Sequence, residues 1–260
     1  MSGKVLLSFD IEEFDFPREK GQEITLEEGV KVSAEGLLRV LKLLRECEVK
    51  ATFFCTGNFA SSRPDLILKI KNDGHEVACH GVDHFVYSDT DYQKSKEILE
   101  KVSDGKVFGY RQPRMFKIDY DEMKRCGYLY DSSVNPAFIP GRYNHTDVPR
   151  KVFVKKGVAE VPTSVATFAR VPLFWLALHM FPVSMYARLA KMSLKKTGYF
   201  ATYFHPWEFS DKLLKYKVVP FYIKKNSGKK LVKRLTKVIL SLKKKNEFVT
   251  YTEYVKSVVK

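Results

Sequence analysis

The chain has 260 residues with 45 Lys+Arg against 30 Asp+Glu, a formal net charge of +15, and 45% hydrophobic residues. A chain of this size and apolar content can bury a large core, and the lack of any internal repeat, low-complexity tract or Gly/Ser/Pro-rich linker excludes an array of small modules. Cys47, Cys55, Cys79 and Cys126 have no CxxC spacing, which excludes a zinc knuckle and a disulfide framework and leaves reduced, mostly buried thiols.

In chain order, Lys4 to Asp10 is a short apolar run, hence a buried strand, and the acidic cluster Asp10, Glu12 and Glu13 stands at its end. A strand this early leaves no room ahead of it for a signal peptide, so a cytoplasmic protein is expected. Ser33 to Glu46 spaces Leu37, Leu38, Leu41 and Leu44 as the apolar face of a helix. Ala51 to Cys55 reads as a strand, Arg63 to Asn72 as a helix and Glu76 to Cys79 as a third strand, followed at once by His80 and His84. Thr90 to Lys101 and Asp119 to Cys126 read as helices with a strand at Lys106 to Tyr110 between them. Tyr199 to Phe204 is another strand, Lys229 to Lys245 a helix, and Phe248 to Thr252 a closing strand. The alternation predicts a parallel, barrel-like sheet, whose strand ends bring site residues together.

His80 and His84, four residues apart after a strand, together with a carboxylate after the first strand, are what a divalent metal needs if it is to keep a position open for water. Cys79 adjoins His80, but neighbouring side chains of an extended chain point to opposite faces, so it reads as a core thiol. The same alternation lets Asp10 and Glu12 face one site while Ile11 packs away from it. Glu12 is therefore the expected ligand, and Glu13 takes its place if the strand ends early.

With these elements in order, the chain resembles the polysaccharide deacetylase family, the carbohydrate esterase family 4 group built on the NodB homology domain. Ser8-Phe9-Asp10-Ile11-Glu12-Glu13 resembles the family's first motif and Ala51-Thr52-Phe53-Phe54 its second strand. Gly74-His75-Glu76 through His84 resembles the metal-binding motif, and Tyr110-Arg111-Gln112-Pro113-Arg114 the third motif. Tyr130-Asp131-Ser132-Ser133 resembles the fourth, and Tyr203-Phe204-His205-Pro206-Trp207-Glu208 the fifth. The first motif departs from the usual two adjacent aspartates and is similar to the Asp-x-Glu variant found in some deacetylases and related amide hydrolases.

The resemblance implies an α/β fold, a distorted, TIM-like (β/α) barrel forming one domain over residues 1–260, and a metal-dependent hydrolase that removes N-acetyl groups from an amino-sugar-containing glycan or glycolipid precursor. It implies a divalent ion, zinc foremost, on Glu12, His80 and His84. Asp10 would be the base, aimed and kept ionised by Arg111. His205, expected across the site from Asp10, would be the acid that protonates the departing amine, and Asp131 would orient it. The backbone N–H of Arg114 would help to hold the oxyanion. Two other readings remain: a hydrolase of a small cyclic amide or ureide, because the variant first motif also occurs among such relatives, and a non-catalytic basic protein that binds a phosphate-bearing glycolipid.

His75, His145 and His179 lack spaced partners and read as structural. Val171 to Ala190 is apolar but interrupted by Pro182 and too short to span a bilayer. Residues 211 to 260 hold 15 Lys+Arg against 3 Asp+Glu. In the helix Lys229 to Lys245, Leu231, Val232, Leu235, Val238, Ile239 and Leu242 form one face and lysines the other, the pattern of a helix packed on the barrel with a solvated basic side. No nucleic-acid motif accompanies the charge; a peripheral contact with an anionic inner-membrane surface is the partner expectation it leaves.

Overall fold

The computed structural model describes residues 2–86, 88, 91–139 and 143–259. A sheet curls through β1 (Lys4–Ile11), β2 (Thr52–Cys55), β3 (Glu76–Cys79), β4 (Gly109–Tyr110) and β5 (Tyr130–Asp131), all parallel neighbours in that order. A small hairpin, β6 (Phe138–Ile139) with β7 (Tyr143–Asn144), stands apart. β8 (Phe153–Lys155) forms an antiparallel edge on β9 (Val158–Glu160), and β9 continues the sheet beyond β5. β10 (Tyr199–Phe204) runs parallel to β1 on its other side, and the short β11 (Glu247–Phe248) meets the start of β1. This is the α/β, barrel-like architecture the alternation predicts.

Two apolar layers follow from strand alternation. Residues such as Phe9, Ile11, Phe53, Cys55, Cys79 and Tyr110 face outward into the large cluster shared with the helices. Leu6, Phe54, Ala78, Tyr130, Ala159 and Ala201 face inward and form a second cluster with Tyr251 and Val255. β1 is buried along its whole length after Lys4 because neighbours cover both its edges and both its faces, which explains its unbroken apolar sequence.

Several elements differ from their expected bounds. The first long helix runs Leu26–Cys47, seven residues earlier than the leucine spacing implied, because Thr25 and Glu28 close a capping box at its start. Leu38 is half-exposed rather than on the apolar face: Leu37, Leu41 and Leu44 make one stripe, and Leu38 stands a residue, about 100°, away from it. The expected closing strand is only Glu247–Phe248; Thr250 turns the chain and caps the helix Tyr251–Val258 through a second capping box with Glu253. The helix expected from Thr90 is Asp91–Ser103, and Thr90 itself lies outside the described residues. The apolar stretch 171–190 becomes the helix Trp175–Met180 and the start of Val183–Thr197, parted at Pro182. No helix among the described residues is long and apolar enough to cross a membrane.

The helix Leu26–Cys47 lies directly against the turn Pro206–Phe209, and Gly36 is the point of closest approach. A Cβ there would stand 1.7 Å from the Pro206 carbonyl oxygen. Gly36→Ala is therefore expected to destabilise the protein by about 1–3 kcal/mol, the usual cost of overpacking, although alanine is the better helix former. Chemical denaturation measures this, and an unchanged midpoint would mean that the helix and the turn are not in contact.

Candidate metal centre and active site

Register decides which residues enter the site. Ile11, Cys55, Cys79, Tyr110 and Asp131 lie in one row across β1 to β5 and face the helices. The residues immediately after them, among them Glu12, His80, Arg111 and Ser132, face inward at the C-terminal ends of their strands. Asp10 faces inward one step below. Phe9 pairs with Phe204, so Asp10 and His205 are the next residues on adjacent strands. The acid and base candidates thus leave the ends of adjacent strands.

Glu12, His80 and His84 bring one ligand atom each within 4.8 Å of one another. His80 Nδ1 lies 2.8 Å from the Arg111 carbonyl oxygen, which can only accept, so this nitrogen carries the proton and Nε2 turns its lone pair inward. His84 Nδ1 is held in the same way, 3.0 Å from the Asp15 carboxylate. Glu12 Oε1 accepts from Trp207 Nε1 at 2.8 Å. Glu12 Oε2 is buried without a hydrogen bond, 2.9 Å from His84 Nε2 and 3.6 Å from His80 Nε2. Three electron-pair donors therefore converge on one buried point, each fixed from behind, an arrangement that fits a divalent cation. Where no cation is bound, a proton competes for the same point: burial would lower His84, but Glu12 and Asp15 outweigh it and hold the imidazole well above its ordinary range. Burial would raise Glu12, but His84 and His205 hold it well below the usual carboxylate range.

Glu13, the alternative ligand, turns elsewhere. It accepts from Thr56 Oγ1 at 2.7 Å, Asn58 Nδ2 at 3.2 Å and the His84 backbone N–H at 3.3 Å, which braces the loop that carries His84. Cys79 is buried in the outer layer, where desolvation pushes its thiol up to about 12.

Asp10 Oδ1 accepts from Arg111 Nη1 at 2.5 Å. Arg111 is no surface ion-pair residue but is wholly buried. It also donates to the Ser132 carbonyl, Ser8 Oγ, Ser132 Oγ and Tyr251 Oη, and its guanidinium lies 4.0 Å from the centre of the Phe54 ring. Burial opposes its charge, yet Asp10 outweighs this and raises Arg111 above the ordinary guanidinium value. A donor satisfied on every side holds Asp10 in one orientation.

His205 is oriented by Glu208 and not by Asp131. Glu208 Oε1 lies 2.9 Å from His205 Nδ1 and accepts from the His205 backbone N–H at 2.6 Å; its Oε2 lies 2.7 Å from His179 Nε2. Glu208 is fully buried, and burial would raise it, but hydrogen bonds and charge from His179 and His205 hold it below the usual carboxylate value. Burial likewise would lower His205, yet Glu12, Glu208 and Asp10 together raise it. The His205 ring stacks on Trp207 at 4.9 Å and meets the edge of Trp175 at 5.4 Å. Asp131 belongs to the outward row. It accepts from Ser133 N–H and Oγ and lies beside Glu160, which accepts from Tyr120 Oη. Its parity on β5 turns it away from His205.

Arg114 occupies a left-handed turn at φ 54°, followed by Met115 at φ 53°, strain of the kind found at functional sites. Its side chain donates to the His84 carbonyl at 3.3 Å, pairs with Glu19 at 3.0 Å and lies 4.7 Å over the Phe85 ring. Of the histidines read as structural, His75 packs on Phe53, burial lowering it to about 4, and His145 Nδ1 lies 3.2 Å from the Asn135 carbonyl. His179 is instead joined to the site through Glu208. The site residues missed in the sequence are Asp15, His179, Trp207 and Glu208. Glu208 carried a signal, since a carboxylate three residues after a turn-initiating residue reaches back to its N–H. His179 carried none.

Residues 17–125 match the family model described as polysaccharide deacetylase, and residues 132–256 match one described as a domain of unknown function. The peptidoglycan deacetylase-like protein FGM2 of Gibberella zeae is 29% identical over 119 residues, 41% of this chain and 35% of that protein. The chain thus spans about a third of that curated relative. A Mycobacterium smegmatis crystal structure assigned to the polysaccharide deacetylases superposes with a TM-score of 0.66 at 20% identity, covering 98% of this chain and 89% of that one. Puue allantoinase superposes with a TM-score of 0.62 at 15% identity, covering 97% and 89%. At these identities the likeness is one of fold.

Proposed function

Because residues 17–125 match the polysaccharide deacetylase family model, we propose that this chain is a metal-dependent hydrolase that removes N-acetyl groups from an amino-sugar-containing glycan or glycolipid precursor. One observation carries the reading: the cluster Glu12, His80 and His84 adjoins both the Asp10–Arg111 pair and the His205–Glu208 pair at one end of the sheet. A divalent ion held by Glu12, His80 and His84, with zinc first on the imidazole-rich donor set, supplies a Lewis acid and lowers the pKa of water when bound. Asp10, aimed by Arg111, would accept a proton from the water molecule that adds to the acetyl carbon. His205, held by Glu208, donates a proton to the amine as the C–N bond breaks, so that water is consumed and acetate and a free amine leave. The Arg114 backbone N–H is assigned to the developing oxyanion.

The direct test is acetate release from N-acetylglucosamine oligomers by the metal-loaded protein, with allantoin as a parallel substrate. Acetate release supports the proposal. Ring opening of allantoin alone would favour the cyclic-amide reading, which the 0.62 superposition on an allantoinase keeps in play. Metal binding with neither reaction would leave a binding protein.

The pH profile tests the acid. His205 must be protonated to act, and its neighbouring carboxylates raise it, so the alkaline limb of the rate is expected above the ordinary imidazole value near 6.5. Glu208→Gln removes one of those charges, leaves burial less opposed, and is expected to move that limb to lower pH. An unmoved limb would take the acid role away from His205.

Strands of residues 132–256 flank those of residues 17–125 within one sheet, β9 and β8 beyond β5 at one end and β10 beyond β1 at the other. A single domain and one cooperative unfolding transition are therefore assigned to the chain.

A further inference from the structure

From Lys212 to Lys245 the chain carries 13 Lys or Arg and no Asp or Glu. Part of this run lies beside the site. The turn Asp211–Lys215 follows Pro206–Phe209, and Leu213, Val219 and Ile223 anchor the segment in a cluster with Phe14 and Trp207, the tryptophan that bonds Glu12 and stacks on His205. Between these anchors the chain turns apolar side chains into solvent. Phe221 is 77% exposed, and Leu214 and Tyr222 are half-exposed. Met180, 61% exposed, ends the adjoining helix, whose Trp175 meets His205. Lys215, Lys217, Lys225 and Lys229 are exposed and form no ion pair among the described residues.

We propose that this face docks the protein on an anionic lipid bilayer, with the open end of the site against the membrane surface. Exposed phenylalanine, tyrosine and leucine side chains set among uncompensated lysines match a bilayer boundary, where apolar groups enter the interface and cations meet negative headgroups. The stretch 171–190, the other apolar candidate, supplies little of the surface: Leu173, Leu178 and Tyr186 are fully buried and only its edge is exposed. Nucleic acid is disfavoured by composition. Of the 13 cations 12 are lysine, and the one arginine, Arg234, donates to the carbonyls of Leu178 and Phe181. Docked this way the site meets sugars carried at the bilayer surface. That last step rests on the deacetylase reading, whereas the docking does not.

The test is sedimentation of the full chain with vesicles of phosphatidylcholine alone or of phosphatidylcholine mixed with phosphatidylglycerol, whose negative surface attracts basic segments, across a salt series. Binding only to the anionic vesicles, weakening with salt, is expected. Lys217→Glu/Lys225→Glu should weaken it at least tenfold, and Phe221→Ser/Tyr222→Ser should weaken it at a salt concentration where charge is screened. Both variants should keep the wild-type unfolding midpoint and the wild-type acetate release from a soluble oligomer. Absence of binding to anionic vesicles at low salt, unaltered binding by the charge-reversed protein, or displacement from vesicles by duplex DNA that binds more tightly would each overturn the proposal. Vesicle binding without acetate release from any substrate would remove the deacetylase reading alone.

Discussion

His80→Ala and His84→Ala proteins are expected to purify with less than a tenth of the wild-type content of divalent metal, measured by elemental analysis at equal protein concentration. Each substitution leaves two donors where three converge within 4.8 Å, and a buried Glu12 oxygen that already lacks a hydrogen bond then faces a cavity. The residues behind the ligands should matter nearly as much. Asp15→Ala removes the group that fixes the His84 ring, and about a 10- to 100-fold loss of metal affinity is expected. Glu13→Gln bears on the choice between the two glutamates. Its partners are Thr56, Asn58 and a backbone N–H, so it should keep its metal, whereas Glu12→Gln should not. Wild-type metal content in both histidine variants would sink the site.

Asp10→Asn is expected to lower kcat/KM by about 10²–10⁴-fold, the usual contribution of a positioned acid or base, while metal content stays at the wild-type level. The two readouts separate a base from a ligand, because Asp10 bonds to Arg111 and lies outside the Glu12, His80 and His84 cluster. Asparagine keeps the size and an acceptor for Arg111 but cannot take a proton. Retained turnover would move the base role to another residue, and lost metal would make Asp10 a ligand. Arg111 is a poor choice for the same test: its replacement leaves Asp10 buried without a counter-charge, and about 3–5 kcal/mol of stability would be at risk. Loss of activity in an Arg111 variant therefore needs a folding measurement beside it.

What the sequence by itself determined about this protein is what short-range periodicity encodes. The strand at Tyr199–Phe204 has the bounds its apolar run implied, and β1 differs by one residue. The alternation of Asp10, Ile11 and Glu12 separates inward from outward side chains on one strand, and two histidines four apart can stand at most ~13 Å from each other, so a turn of the loop suffices to bring these residues together. What only the tertiary structure decided is which side chains of different elements share a face. Asp131 follows a strand pattern as good as that of Asp10, but whether it enters the site depends on its register beside Tyr110, and that register turns it toward Glu160. Glu208 reaches His205 because a turn folds it back, and His179 reaches Glu208 because a helix from an earlier part of the chain packs against that turn. Likewise the positive charge of the C-terminal part was visible as composition, whereas the exposure of Phe221 and Tyr222 beside it follows from Leu213, Val219 and Ile223 being drawn into the core. Local periodicity fixes the direction of a side chain relative to its own backbone; its partners are chosen by packing between segments far apart in the chain, and no window of the sequence contains both.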